Sequence, residues 1–168
     1  MEALTRIAAS VGALLKQRGQ TVAVAESSAG GLIAAALLAV PGASAYFLGG
    51  AVVYTAAARR SLLSLADADL PPGTRSSSEP YARALAAAAR DRLGADWGIG
   101  ETGAAGPAGN RYGDAPGHSC IAVAGPSGQA ITLETGSADR EANMRAFARA
   151  ALELLEANLR EAGSAPGS

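Results

Sequence analysis

The sequence predicts an α/β fold in which helices cover both faces of a mixed sheet. Three observations carry that expectation. Short apolar segments with strand character alternate along the chain with segments of helical periodicity. The strand segments are nearly all apolar, as strands buried on both faces are. The last two, residues 119–124 and 130–134, flank Pro126-Ser127-Gly128 and read as a hairpin, which makes the sheet mixed rather than purely parallel.

Each element has a local reason. Leu4, Ile7, Ala8, Val11, Leu14 and Leu15 fall at helical spacing, and Gly19 stops that first helix. Residues 21–26 form a buried strand, and Ser27-Ser28-Ala29-Gly30-Gly31 turns into a second helix over 32–40, closed by Pro41-Gly42. A second strand spans 49–54 and a short helix 57–65; residues 67–78, with Pro71-Pro72-Gly73, read as loop. Ser78-Glu79-Pro80 starts a helix that runs strongly over 81–93. The third strand covers 95–101, residues 102–116 form a Gly- and Pro-rich loop, and a long last helix spans 139–160 with Asp139 as its N-cap. One domain over 1–161 with a flexible tail at 162–168 is expected.

Composition narrows the function classes. The chain has 168 residues, 49% hydrophobic and 17% charged, enough to bury a core without a disulfide or a metal. Fourteen basic and fifteen acidic side chains leave a net charge of −1, so no broad nucleic-acid surface is expected. With one cysteine, Cys120, and one histidine, His118, a zinc site built from His and Cys is excluded within one chain. No apolar run reaches the length of a membrane span, and the N-terminal segment is amphipathic rather than signal-like; a cytoplasmic protein is expected. Among the basic residues only Lys16 is a lysine; the other thirteen are arginines.

Ligands of open α/β sheets bind at the carboxyl ends of strands. Two such ends are rich in small residues: Glu26-Ser27-Ser28-Ala29-Gly30-Gly31 and Thr102-Gly103-Ala104-Ala105-Gly106-Pro107-Ala108-Gly109. Their glycines would let backbone N–H groups approach an anion, or simply make tight turns. Glu26 is either a ligand-binding carboxylate or a partner for the helix start at Gly30 and Gly31. Tyr46, Phe47 and Tyr54 cluster around the second strand, with Phe47 expected in the core. Arg140 could fork onto a phosphate or carboxylate, or lie on the surface. His118 reads as a structural strand residue, Cys120 as a small buried hydrophobe and Lys16 as a solvated surface residue.

In this order the pieces resemble the CinA C-terminal domain family, the nicotinamide-nucleotide amidase-like proteins linked by name to competence and damage induction. The motifs are Ala25-Glu26-Ser27-Ser28-Ala29-Gly30-Gly31, Pro41-Gly42-Ala43-Ser44-Ala45-Tyr46-Phe47-Leu48-Gly49-Gly50, Thr102-Gly103-Ala104-Ala105-Gly106-Pro107, and residues 136–140. The resemblance runs from about Leu4 to Leu159. It implies a three-layer α/β/α sandwich with a mixed sheet of about five strands. It also implies hydrolysis of the amide of nicotinamide mononucleotide to nicotinic acid mononucleotide and ammonia, with Ser44 as nucleophile and Tyr54, Thr102 and Arg140 in support. Drawn from the strand-end and aromatic residues singled out above, Glu26, Ser27, Gly30, Gly31, Tyr46 and Gly103 complete the expected substrate-binding set. No cofactor or metal, a pyridine-nucleotide partner and a homo-oligomer are expected.

One departure bears on mechanism. Where the family carries Ser-Asn-Glu-Ala-Lys after the tyrosine, this chain reads Thr55-Ala56-Ala57-Ala58-Arg59, and Ser28-Ala29 replaces the usual Cys-Thr. Neutralising a lysine at pH 7 costs roughly 4.6 kcal/mol, much of which burial can supply; an arginine needs at least roughly 7.5 kcal/mol and stays charged. Arg59 therefore cannot be the general base. A tyrosine starts near a pKa of about 10, roughly 4 kcal/mol from phenolate, and a nearby guanidinium lowers that cost. Ser44 with Tyr54 as base and Arg59 as its electrostatic partner is the expected rescue. The alternative is an impaired family member that binds a nucleotide or a partner protein without amidase activity.

Overall fold

A computed structural model describes residues 1–164. The elements in chain order are α1 (Glu2–Arg18), β1 (Val22–Glu26), α2 (Leu32–Leu38), β2 (Phe47–Val52), α3 (Ala56–Leu63), α4 (Glu79–Leu93), β3 (Trp97–Ala104), β4 (His118–Ala124), β5 (Gln129–Glu134) and α5 (Arg140–Ser164), with single 3-10 turns at Ala43–Ala45 and Asp67–Asp69. The five strands form one sheet in the order β2-β1-β3-β4-β5. β2, β1 and β3 are parallel, and β3, β4 and β5 antiparallel, so the sheet is mixed.

Alternation along the strands sorts the core into two layers. Val22 and Val24 of β1, Trp97 and Ile99 of β3, and Ile121 and Val123 of β4 face the layer of α1, α2 and α5. Ala23 and Ala25 of β1, and Cys120 and Ala122 of β4, face α4 and α3. The second face is made of small residues because α4 lies almost on the sheet. A Cβ at Gly98 would sit 2.0 Å from the Ala86 carbonyl oxygen, and one at Gly100 2.1 Å from that of Ala82. The result is a three-layer α/β/α sandwich.

Several boundaries move from their expected places. α2 stops at Leu38 rather than at 40 because Val40 precedes Pro41, which disfavours helical backbone. β2 spans 47–52 rather than 49–54: its register on β1 pairs Val22 with Phe47 and Glu26 with Val52, and β1 supplies no partner beyond that. β3 runs on to Ala104, so Thr102 and Gly103 are strand residues opposite Cys120 and Ser119 rather than loop. Phe47 is only partly buried, and its neighbour Tyr46 takes the core position instead. Cys120 is buried as expected. α5 extends to Ser164, so the start of the expected tail is helical; residues 165–168 lie outside the described residues. No helix among the described residues is long and apolar enough to cross a membrane.

Candidate functional site

β1, β2 and β3 all point their carboxyl ends at one edge of the sheet, and strand order reverses around β1. A crevice is expected at such a reversal. A cavity of about 700 Å³ opens there, within the size range of small-molecule sites. Ser27 enters it after β1, Tyr54 and Thr55 after β2, and Thr102 and Gly103 from the end of β3; Thr74, Arg75, Ser76, Arg111 and Tyr112 wall it from two loops.

Two buried carboxylates shape the turn that carries Ser27. Glu26 folds back onto α2, accepting N–H bonds from Gly31 at 2.8 Å, Ile33 at 3.1 Å and Ala34 at 2.9 Å. Gly30 and Gly31, with φ of 67° and 96°, supply the left-handed backbone this reversal needs. Glu26 is therefore spent on α2 and is not free for a ligand. Of the N–H groups expected to cradle an anion, that of Gly31 is filled by this carboxylate and that of Gly30 by the Ser27 carbonyl at 3.1 Å. Burial pushes the Glu26 pKa up, against the pull of those N–H bonds and with a push from Glu101.

Glu101, fully buried in β3, accepts from the N–H groups of Ser27 (3.0 Å) and Ala29 (2.8 Å), the Ser119 hydroxyl (2.9 Å) and the Ser28 hydroxyl. Its pKa is raised by burial, opposed by those bonds. Sequence reasoning missed Glu101; the signal was one acid inside the small and apolar run Trp97-Gly98-Ile99-Gly100-Glu101-Thr102-Gly103-Ala104. Ser27 itself is half-buried on the cavity wall, and its hydroxyl makes no hydrogen bond among the described residues.

The expected dyad does not form within one chain. Ser44 sits in the 3-10 turn before β2 and Tyr54 lies just after it, so the six-residue strand holds them roughly 20 Å apart. Tyr46, expected to touch substrate, is fully buried: its ring fills the space over Gly12, and its hydroxyl donates to the Leu37 carbonyl at 2.7 Å. Lys16 lies at the Ser44 edge, exposed, with Nζ donating to the Pro41 carbonyl at 3.2 Å.

Arg59 also departs from its expected role. Its guanidinium is buried and donates from Nε to the Leu65 carbonyl (2.9 Å), from Nη1 to the Tyr81 hydroxyl (3.3 Å) and from Nη2 to Asp67. Burial alone would lower its pKa, but Asp67 and Tyr81 outweigh that and hold it above the ordinary guanidine value. It ties α3 to the following turn and to α4, and it does not bond Tyr54. The cation at Tyr54 is Arg140, whose Nη2 lies 3.4 Å from the phenol oxygen while Nη1 donates to the Gly106 carbonyl. Tyr54 is 63% exposed, within reach of a ligand in the cavity. Asp139 caps α5 beside Arg140 by accepting the Ala142 N–H at 3.1 Å.

Thr102 is held from the second loop. Its Oγ1 accepts the Ser77 N–H at 3.0 Å, and Ser77 adopts a left-handed φ of 57° that a serine rarely takes. His118 fixes Ser77 by donating Nε2–H to its carbonyl at 2.9 Å, while Nδ1 meets Glu134 and Asp114 lies 3.6 Å from Nε2. His118 is thus structural, as expected. Burial alone would lower its pKa, but Glu134, the Ser77 carbonyl and Asp114 outweigh that and raise it. A raised folded-state value means a stabilising contribution that is complete below the unfolded pKa of about 6.5 and lost as pH rises through the folded one. The melting temperature should therefore fall over that rise, and His118→Asn should flatten the fall; parallel pH profiles of the two proteins would sink the assignment.

A family model described as the CinA C-terminal domain matches residues 4–159. The chain is similar to a CinA-like protein of Prochlorococcus marinus (strain MIT 9313), 50% identical over 115 residues that make up 68% of this chain and 27% of that one. It is also similar to a CinA-like protein of Anaeromyxobacter sp. (strain K), 45% identical over 148 residues, covering 88% of this chain and 36% of the other. The chain thus spans about a third of the length of these curated relatives. Among solved structures, it superimposes on a competence-damaged protein (CinA) superfamily protein from Klebsiella pneumoniae with a TM-score of 0.87, 26% identity and coverage of 94% and 98% of the two chains. A competence/damage inducible protein CihA from Agrobacterium tumefaciens matches with a TM-score of 0.84 and 30% identity over 94% and 95%.

Proposed function

The chain belongs to the CinA C-terminal domain family, and from that premise we propose that it hydrolyses the carboxamide of a pyridine mononucleotide in the cavity at the carboxyl edge of the sheet. The observation that carries this reading is the meeting of Ser27, Tyr54 and Thr102 in one cavity, with Arg140 against the phenol. Ser27 replaces Ser44 as the attacking hydroxyl. Tyr54 acts as the phenolate, which the Arg140 guanidinium beside it favours; it takes the serine proton as the bond to the amide carbon forms and becomes the neutral phenol. Tyr54 then returns the proton to the departing ammonia, and water releases the acid from Ser27 by the same exchange. Thr102, with its oxygen already accepting from Ser77, keeps its hydroxyl proton for the substrate.

A second arrangement is favoured by one observation. β2 is an edge strand without a charged residue, and it exposes Leu48 and Val52 at 44% each. Antiparallel pairing of β2 with that of a second copy would set the start of one strand beside the end of the other, bringing Ser44 of one copy toward Tyr54 of the other. In that case a homo-oligomer would assemble the dyad that a single chain separates.

The test is ammonia release from nicotinamide mononucleotide by the purified chain. Turnover is expected, slowed about 10²- to 10⁴-fold in Tyr54→Phe. A silent wild-type protein that still binds the nucleotide would leave the binding-only alternative standing. A Tyr54→Phe variant at full rate would remove Tyr54 as the base.

A further inference from the structure

The turn Asn110-Arg111-Tyr112-Gly113-Asp114 carries three cavity residues, Asn110, Arg111 and Tyr112, that the motifs shared with the family do not include. Asn110 builds it: its Oδ1 accepts the N–H groups of Tyr112 (3.0 Å) and Asp114 (3.2 Å), and its Nδ2 donates to Asp114 Oδ2 at 2.8 Å. Arg75 clamps the turn to the 70–77 loop with two bonds to Asp114, at 2.7 and 3.2 Å. The Tyr112 ring has the guanidinium carbons of Arg75 and Arg111 at 5.0 and 5.1 Å from its centroid. Its phenol oxygen accepts from Ser76 Oγ at 3.1 Å and from Arg111 Nη2 at 2.9 Å.

Charge balance singles out one of the three arginines on the wall. Arg59 is neutralised by Asp67 and Arg75 by Asp114, whereas Arg111 forms no ion pair among the described residues. Arg111 is nonetheless held in place, by a neutral phenol rather than by a carboxylate. A guanidinium oriented this way keeps its charge and most of its five N–H donors for a ligand, and its fork matches phosphate oxygens. The bonds from Ser76 and Arg111 also lower the Tyr112 pKa, the direction expected of a phenol oxygen that accepts both.

We propose that Arg111, held by Tyr112, seats the phosphate monoester of the ligand in this cavity and so selects nucleotides over nucleosides. The proposal rests on the amidase reading only for the identity of the rest of the ligand. Because that chemistry is shared by free phosphate, both sources are tested. Calorimetry on the wild-type chain, Arg111→Ala and Arg111→Lys would use nicotinamide mononucleotide, nicotinamide riboside, adenosine monophosphate and inorganic phosphate.

The expected result is a loss of about 10- to 100-fold in mononucleotide affinity in Arg111→Ala, with riboside affinity unchanged. Arg111→Lys should fall between, because an ammonium keeps the charge without the fork. Tyr112→Phe should shift the mononucleotide in the same direction by less. Equal losses for riboside and mononucleotide, or none for either, would overturn the seat, as would a wild-type chain that binds no phosphate monoester. Inorganic phosphate bound at Arg111 while neither monophosphate depends on that residue would overturn it as a ligand subsite. The two readings fail separately: Arg111-dependent binding of adenosine monophosphate without amide cleavage keeps the seat and drops the amidase, whereas cleavage in Arg111→Ala at unchanged KM drops the seat and keeps the amidase.

Discussion

Glu101→Ala is expected to lower the unfolding free energy by about 3–5 kcal/mol, whereas Glu101→Gln should leave it within about 1 kcal/mol of wild type. The contrast follows from which oxygen meets which donor. Oε2 accepts two backbone N–H groups, from Ser27 and Ala29, and neither can turn away. Oε1 meets two hydroxyls, on Ser28 and Ser119, and each can rotate to accept instead of donate. Glutamine with its carbonyl at the first position and its amide nitrogen at the second keeps all four contacts and removes a charge that burial disfavours. Alanine strands four buried donors at the base of the turn that carries Ser27. Denaturant midpoints at constant m-value measure the difference. Equal losses in the two variants would mean that the negative charge, rather than the pattern of acceptors, holds this turn.

The fold was legible where burial alone decides the pattern. All five residues of β1 are buried, and the valines and alanines of Val22-Ala23-Val24-Ala25 already record which face meets the bulky layer and which meets α4. Thr102-Gly103-Ala104 reads as loop in the sequence because glycine weakens a strand, yet these residues pair fully with β4. The site was harder to read because its residues act through direction and distant contacts. Nothing local says that Arg59 turns toward Asp67 and Tyr81 rather than Tyr54, or that Arg75 meets Asp114 across 39 positions. Glu26 could face a ligand or its own helix, and only the backbone reversal at Gly30 and Gly31 decides between them. The separation of Ser44 from Tyr54, by contrast, was readable: one precedes β2 and the other follows it, and an extended strand cannot bring its own ends together.

That separation makes two serines the sharpest contrast in the chain. Ser27→Ala is expected to cut amide turnover by at least about 10³-fold, because removing a nucleophile leaves only binding and electrostatic assistance. Ser44→Ala should stay within about twofold of wild type, as an exposed residue away from the cavity would. Neither change should disturb the core: Ser27 holds Glu101 through its backbone, which alanine retains, and Ser44 makes no hydrogen bond among the described residues. Unchanged melting temperatures would confirm that rates report chemistry. The reverse outcome, a silent Ser44→Ala with Ser27→Ala active, would place the attack at the β2 edge between two copies. Mixing subunits then decides it, since a dimer of one Ser44→Ala chain and one Tyr54→Phe chain assembles one intact pair and regains turnover that neither parent has. Full activity in both serine variants would remove serine attack altogether and leave a water-driven hydrolysis organised by Tyr54 and Arg140.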